Sequence, residues 1–121
     1  MDECIFCRIS AGKSPANIEY SDNDVAVFWD INPRAAVHLL VVPKKHIASV
    51  DDMSEVDEKL FGHIIDVARK VAKDKELNKD GYRLVFNVGK DSGAVVDHVH
   101  LHILGGQPLG AMNEPLNGTQ L

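Results

Sequence analysis

The sequence is poor in the features that mark exported, membrane-bound or nucleic-acid-binding chains. Its 121 residues include two cysteines, one tryptophan and 6% aromatics. The N-terminus, "MDECIFCRIS", is acidic and has no apolar core, so it does not read as an export signal. Without export a structural disulfide is disfavoured, because such bonds persist in oxidising compartments. The expected location is cytoplasmic. No apolar run approaches the ~20 residues of a membrane span. The longest, "AAVHLLVV", is short and contains His38, so no membrane role is expected. Lysine and arginine (13) fall short of aspartate and glutamate (18), for a net charge of −5. The "PKK" at 43–45 is too short for a basic stripe. Stable nucleic-acid binding is not expected, because phosphate neutralisation dominates that affinity. A single small anion can still be held by a few local groups.

What remains is an ordinary globular composition, 45% hydrophobic and 26% charged. The length suits one domain over 1–121 with its own core. There is no internal repeat or linker. The tail from about 107 to 121 lacks periodicity and is expected to run over the surface.

Ile5, Phe6 and Ile9 have the spacing of one or two helical turns. "IEYSDNDVAVFWD" reads as two strands about a polar turn, and "AAVHLLVVP" as a third strand buried on both faces and ended by Pro43. "MSEVDEKLFGHIIDVARKVAKDKELN" (53–78) is the one long helix, opened by a capping box of Ser54 and Asp57. Val56, Leu60, Ile64, Val67, Ala68 and Val71 form its apolar stripe. "YRLVFNV" and "HVHLHIL" are two further strands around the loop "GKDSGAVVD". One long helix between strand groups argues against a doubly wound parallel sheet. The expected class is α+β: a five-stranded antiparallel sheet, with the long helix and a short N-terminal helix on one face.

The chemistry concentrates in "DHVHLHILGG", which places His98, His100 and His102 at alternate positions. On a strand they share one face, while Val99, Leu101 and Ile103 take the other. Satisfied histidines lining a sheet would explain one such residue better than three in strict alternation. Two chemical readings remain. A His-x-His pair can present nitrogens to zinc, or one imidazole can be a nucleophile that its neighbours assist. Crowded imidazoles disfavour one another's protonation, which leaves neutral rings near pH 7. The Cys4–Cys7 pair is open to metal binding or redox use. Redox use fits less well, because no strand precedes Cys4. Two thiolates need two more ligands to close a zinc tetrahedron.

The order and spacing of "CIFCRI", "FWDINP", "HLLVVPKKHI", "LNKDGYRLVFNVG" and "HVHLHILGG" resemble the histidine triad (HIT) family, in its nucleotide-binding branch, over about residues 4–106. The resemblance implies a HIT-like fold and a purine nucleoside phosphoramidase or related nucleotidyl hydrolase. His100 would attack the α-phosphorus, forming a nucleotidyl-histidine that water converts to a nucleoside monophosphate such as AMP or GMP. His102 would contact a phosphate oxygen and His38 would complete the network. Asp30 would accept the ribose hydroxyls, as an ionised carboxylate can. Ile5, Phe6, Ile9, Phe28, Trp29, Ile31 and Leu40 would line the base pocket. Asn87 would bond near the ribose or phosphate, and Gly93 would let the loop backbone approach it. Bacterial relatives imply a structural zinc on Cys4, Cys7, His46 and His98, one per chain. The family also implies a homodimer.

Two departures stand out. Close relatives carry Gly-Gln-Ser or Gly-Gln-Thr where this chain has Gly93, Ala94 and Val95. The missing hydroxyl is a donor whose loss costs on the order of 10²-fold when it acts in the transition state. The tail also lacks the tryptophan that follows Gly-Gly in many relatives. A nucleotide-binding module with weak or vestigial catalysis is therefore the alternative. A hydrolase using all three histidines on an open zinc is disfavoured, because Asp97 points to the opposite face and no other carboxylate flanks them. His63 is read as a surface or interface group, and Lys44 and Lys45 as solvated.

Overall fold

The computed structural model describes residues 3–113. Helix α1 spans Ile5–Ser10 and is N-capped by Cys4, whose Sγ accepts the Cys7 amide at 3.4 Å. Strands β1 (Ile18–Ser21) and β2 (Val25–Trp29) form a hairpin. Its turn is closed by Asp22, whose Oδ1 accepts the Asp24 and Val25 amides, both at 2.8 Å. Strand β3 is Val37–Pro43, β4 is Tyr82–Phe86 and β5 is Leu101–Gly105. All pairings are antiparallel in the order β1-β2-β3-β5-β4, as the expected class requires. Leu40 and Val85 flank His102 from the two sides of β5.

The long helix, α2, is shorter than the apolar pattern suggests, at Glu58–Asp74. The Ser54–Asp57 capping box is present, with the Ser54 amide 3.0 Å from Asp57 Oδ2. It holds 55–57 as a separate 3-10 turn ahead of the helix. At the other end Glu76 adopts a left-handed φ of 60°, which stops the chain from continuing helically. Lys45 is not simply solvated: its Nζ pairs with Asp57 at 2.6 Å and ties the segment after β3 to this cap. His63 likewise reaches Asp22 Oδ2 at 2.7 Å, bracing α2 against the β1–β2 turn.

Alternation along the strands gives the sheet two unlike faces. Val25 and Val27 of β2, Leu39 and Val41 of β3, and Leu101 and Ile103 of β5 join Ile64, Val67, Ala68 and Val71 of α2 in the main core. Ala26, Phe28, Leu40 and Val42 turn the other way, and Phe28, Leu40 and Val42 pack with Phe6 of α1. The short helix therefore lies on the face opposite α2, which corrects the expectation that both share one face. The physical reason is Phe6, the one buried residue of α1, which meets Phe28 edge to face at 5.5 Å.

The histidine segment also differs from a full strand. His98, Val99 and His100 precede the ladder of β5, because their polar groups are used elsewhere. The Val99 amide bonds the Ile47 carbonyl at 2.8 Å, and the His98 ring bonds the Pro43 carbonyl at 2.7 Å. The start of the tail is tethered through Gln107 Oε1, which accepts the Ala36 amide at 2.7 Å, and through Gly110, whose carbonyl accepts Arg83. The rest of the expected tail, 114–121, lies outside the described residues. Among those described, no helix is long and apolar enough to cross a membrane.

Candidate active site and metal centre

Hydrogen-bond partners decide which nitrogen of each histidine carries its proton. A backbone carbonyl can only accept, and an amide N–H can only donate. His100 Nδ1 lies 2.8 Å from the His98 carbonyl, so Nδ1 holds the proton and Nε2 keeps a lone pair. His98 Nε2 lies 2.7 Å from the Pro43 carbonyl, so His98 is the opposite tautomer with a bare Nδ1. The Arg34 amide donates to His38 Nδ1 at 3.1 Å, so His38 carries its proton on Nε2. That N–H donates to His102 Nδ1 at 2.9 Å, with Asp30 Oδ2 at 3.4 Å. His102 therefore bears its proton on Nε2; Asn87 Nδ2, itself a donor, lies 3.4 Å away, so the Asn87 amide meets that proton only when turned to present Oδ1. Three equivalent-looking imidazoles thus present a lone pair, a lone pair and a donor.

Burial reinforces this neutral arrangement. Desolvation pushes His102 down to about 4, with His100 and His38 adding to the shift and Asp30 opposing it. His38 is lowered by burial first, against the attraction of Asp30. His98, fully buried, is lowered for the same main reason. At neutral pH these rings are uncharged.

The bare Nδ1 of His98 faces Cys4 Sγ at 3.3 Å, Cys7 Sγ at 3.5 Å and His46 Nδ1 at 3.1 Å. Cys7 Sγ lies 3.2 Å from His46 Nδ1, and all four donor atoms fall within 4.8 Å of one another. Zn–S of about 2.3 Å and Zn–N of about 2.0–2.1 Å give tetrahedral edges of roughly 3.4–3.8 Å. Sulfur and imidazole donors are also the ligand types zinc prefers. The Cys7 thiol is held above its ordinary range by burial first and by Cys4 second, a penalty that a divalent cation would relieve. The residues fit a zinc ion. Asp30, His38 and His102 also lie within 4.8 Å of one another. That group fits a metal poorly, because His38 Nε2 is committed as a donor.

The base-pocket residues separate. Phe6, Ile9, Phe28 and Leu40 come together on the α1 face. Ile5 is partly exposed, and Ile31 is 90% exposed beside Asp30. Trp29 does not join them, which corrects its assignment. It packs on the α2 side, donates from Nε1 to Glu19 at 2.9 Å, and has Lys75 over its ring. The physical reason is strand alternation, which sends Trp29 and Phe28 to opposite faces. Asp30 keeps one oxygen on the Asn32 amide at 2.8 Å.

A cleft of about 380 Å³ opens beside His100, lined by Asn87, Gly89, Ala94 and Val96 among others. Gly93, at φ 87°, turns the loop there. Val95 is 91% exposed, and the Ser92 hydroxyl is spent on the Gly89 carbonyl and the Ala94 amide. Neither replaces the absent donor. Sequence reasoning missed the Pro43 and His98 carbonyls and the Arg34 amide. Backbone groups leave no residue-type signal.

The geometry matches known proteins. A family model described as "Scavenger mRNA decapping enzyme C-term binding" matches residues 3–114. The purine nucleoside phosphoramidase of Escherichia coli (strain K12) is 41% identical over 111 residues, covering 92% of this chain and 93% of that protein. A histidine triad protein from Clostridium difficile superposes with a TM-score of 0.90 at 41% identity, covering 93% of this chain and 98% of that one. A zinc-bound histidine triad family protein from Mycobacterium smegmatis has a TM-score of 0.79 at 28% identity, covering 97% and 86%. With the triad, its flanking strands and these likenesses together, the chain belongs to the histidine triad family.

Proposed function

We propose that this protein is a purine nucleoside phosphoramidase that works through a nucleotidyl-His100 intermediate. The observation that carries the reading is the bond from His100 Nδ1–H to the His98 carbonyl, which leaves Nε2 as a nucleophile. Attack of that lone pair on the α-phosphorus forms the N–P bond and breaks the P–N bond to the amine, which takes a proton from solvent water as it leaves. The carbonyl of His98 then faces an imidazolium and stabilises its charge. His102 donates from Nε2 to a phosphate oxygen, and His38 and the Arg34 amide hold it in that tautomer. Asp30 accepts the ribose hydroxyls. Phe6, Ile9, Phe28 and Leu40 offer the base an apolar surface, with Ile5 and Ile31 at its rim. Water then cleaves the N–P bond and releases AMP or GMP. Likeness to the E. coli phosphoramidase supports this substrate class.

Zinc on Cys4, Cys7, His46 and His98 is the proposed cofactor, one per chain, and its four protein donors leave no place for a reacting water. A homodimer is also proposed. Among the described residues the outer edge of β4 pairs with no other strand, its residues are only partly buried, and Phe61 stacks on Phe86 at 5.1 Å beside it.

A second reading, a nucleotide-binding module with weak turnover, is favoured by one observation: no side-chain hydroxyl is free at 93–95. Adenosine phosphoramidate separates the two. The leading reading expects AMP release that His100→Ala abolishes and an adenylylated His100 adduct in quenched samples. Tight AMP binding with no release would favour the module.

A further inference from the structure

The candidate nucleophile and the four-donor centre meet at one residue. His98 turns its bare Nδ1 to the centre, gives its Nε2–H to the Pro43 carbonyl, and accepts the His100 Nδ1–H on its own carbonyl. Phe6 is a second link. It sits between the two cysteines in sequence, and its ring stands edge-on to His98 at 6.0 Å and to His100 at 5.0 Å. Helix α1 has six residues, with Phe6 alone buried. So short a helix does not hold itself in water. The contacts of Cys4 and Cys7 with His46 and His98 tie it down.

The tautomer of His100 needs a cause. A free neutral histidine favours its proton on Nε2, the position that attack requires to be bare. The carbonyl at Nδ1 selects the other form, and that carbonyl belongs to a metal ligand.

We propose that the Cys4–Cys7–His46–His98 centre, loaded with its metal, is the positioning device of the nucleophile. It fixes the His98 carbonyl and the Phe6 ring, and these hold His100 with Nδ1 protonated and Nε2 bare. His98 and Phe6 act here as positioning residues. The inference rests on the zinc reading, and its turnover arm alone rests on the phosphoramidase reading. A metal that only stapled the fold would change stability and leave the His100 tautomer of the folded protein untouched.

Nitrogen-15 spectra of the histidine rings test this in zinc-loaded wild type, Cys7→Ser, His46→Cys and Phe6→Leu, alongside zinc content and adenosine phosphoramidate kinetics. Wild type should bind one zinc and show His100 protonated at Nδ1. Folded Cys7→Ser should lose zinc, move His100 toward the Nε2-protonated form, and lose about 10–100-fold in kcat, as second-layer changes do. Its KM should change far less. His46→Cys keeps four donors and should keep the wild-type tautomer. If Cys7→Ser does not fold, Phe6→Leu with zinc bound carries the test and should show the same change in smaller degree. A folded, zinc-free Cys7→Ser with the wild-type tautomer would overturn the proposal. So would unaltered His100 resonances in Phe6→Leu, or a wild type that binds no zinc. A tautomer change without phosphoramidate turnover would support this inference and remove the phosphoramidase reading.

Discussion

The two ends of β3 carry clusters of similar make-up and opposite polarity. At the Pro43 end, two histidines and two thiols converge, and the His98 nitrogen turned inward is bare. At the His38 end, two histidines and a carboxylate converge, but a chain of donors runs from the Arg34 amide through His38 to His102. Lone pairs pointing inward suit a cation. Donors passed outward suit an anion such as a phosphate. The deciding groups are backbone ones, the Pro43 carbonyl and the Arg34 amide. Residue type alone does not distinguish a metal centre from a phosphate site.

Several perturbations should break this contrast. The largest is His100→Ala, which should lower AMP release by more than about 10³-fold, because removing a nucleophile disables its whole assembly. AMP affinity, measured by calorimetry, should change little. Next is zinc removal, which should act on the Pro43 end and through His98 on His100, and leave the His38–His102 pair in place. A ligand at 1,000 times its Kd contributes about 4 kcal/mol to the folded state. Chelation should therefore lower the melting temperature sharply, in the wild type but not in a Cys4→Ser/Cys7→Ser double variant.

His38→Ala acts at the other end. It frees His102 to change tautomer and should cost about 10²-fold in kcat, comparable with losing one preorganised donor. Zinc content should stay at the wild-type level. Acid should lower stability through the buried histidines, and His38→Ala isolates the share of the His38 end. His102 and His38 are depressed in the fold, so between the ordinary histidine value and about 4 the unfolded chain binds more protons. Stability should then rise with pH across that window, by up to about 1.4 kcal/mol per pH unit for each group, and level off above it. Denaturant titrations from pH 4 to 7.5 on wild type and His38→Ala would measure the slope, which should be shallower in the variant. The smallest effect is a gain: Val95→Ser should raise kcat about 10-fold if the new hydroxyl reaches the phosphate. An unchanged rate would show that another donor already fills that role.

Much of the fold was legible in the sequence, because it rests on side-chain pattern. The period of α2, the alternation of β5 and the Ser54–Asp57 box are all local signals that tertiary packing left intact. What pattern could not give was the side of the sheet on which α1 lies. That depends on Phe6 finding Phe28 across a long separation in sequence. Trp29 departs from the motif's pattern for a related reason. Its neighbours Phe28 and Asp30 face the site, and a motif taken as a block ignores that adjacent strand residues face opposite ways. In the site, the histidines were legible as a group and by resemblance in their roles. Their division of labour is set by carbonyls and amides that every residue possesses.

The most direct test is the nitrogen-15 spectrum of the histidine rings in zinc-loaded wild-type protein at pH 7.5. The account predicts His100 protonated at Nδ1, with His38, His98 and His102 protonated at Nε2. Protonation of His100 at Nε2 would leave it without a nucleophilic lone pair where attack requires one, and would contradict the account at its centre.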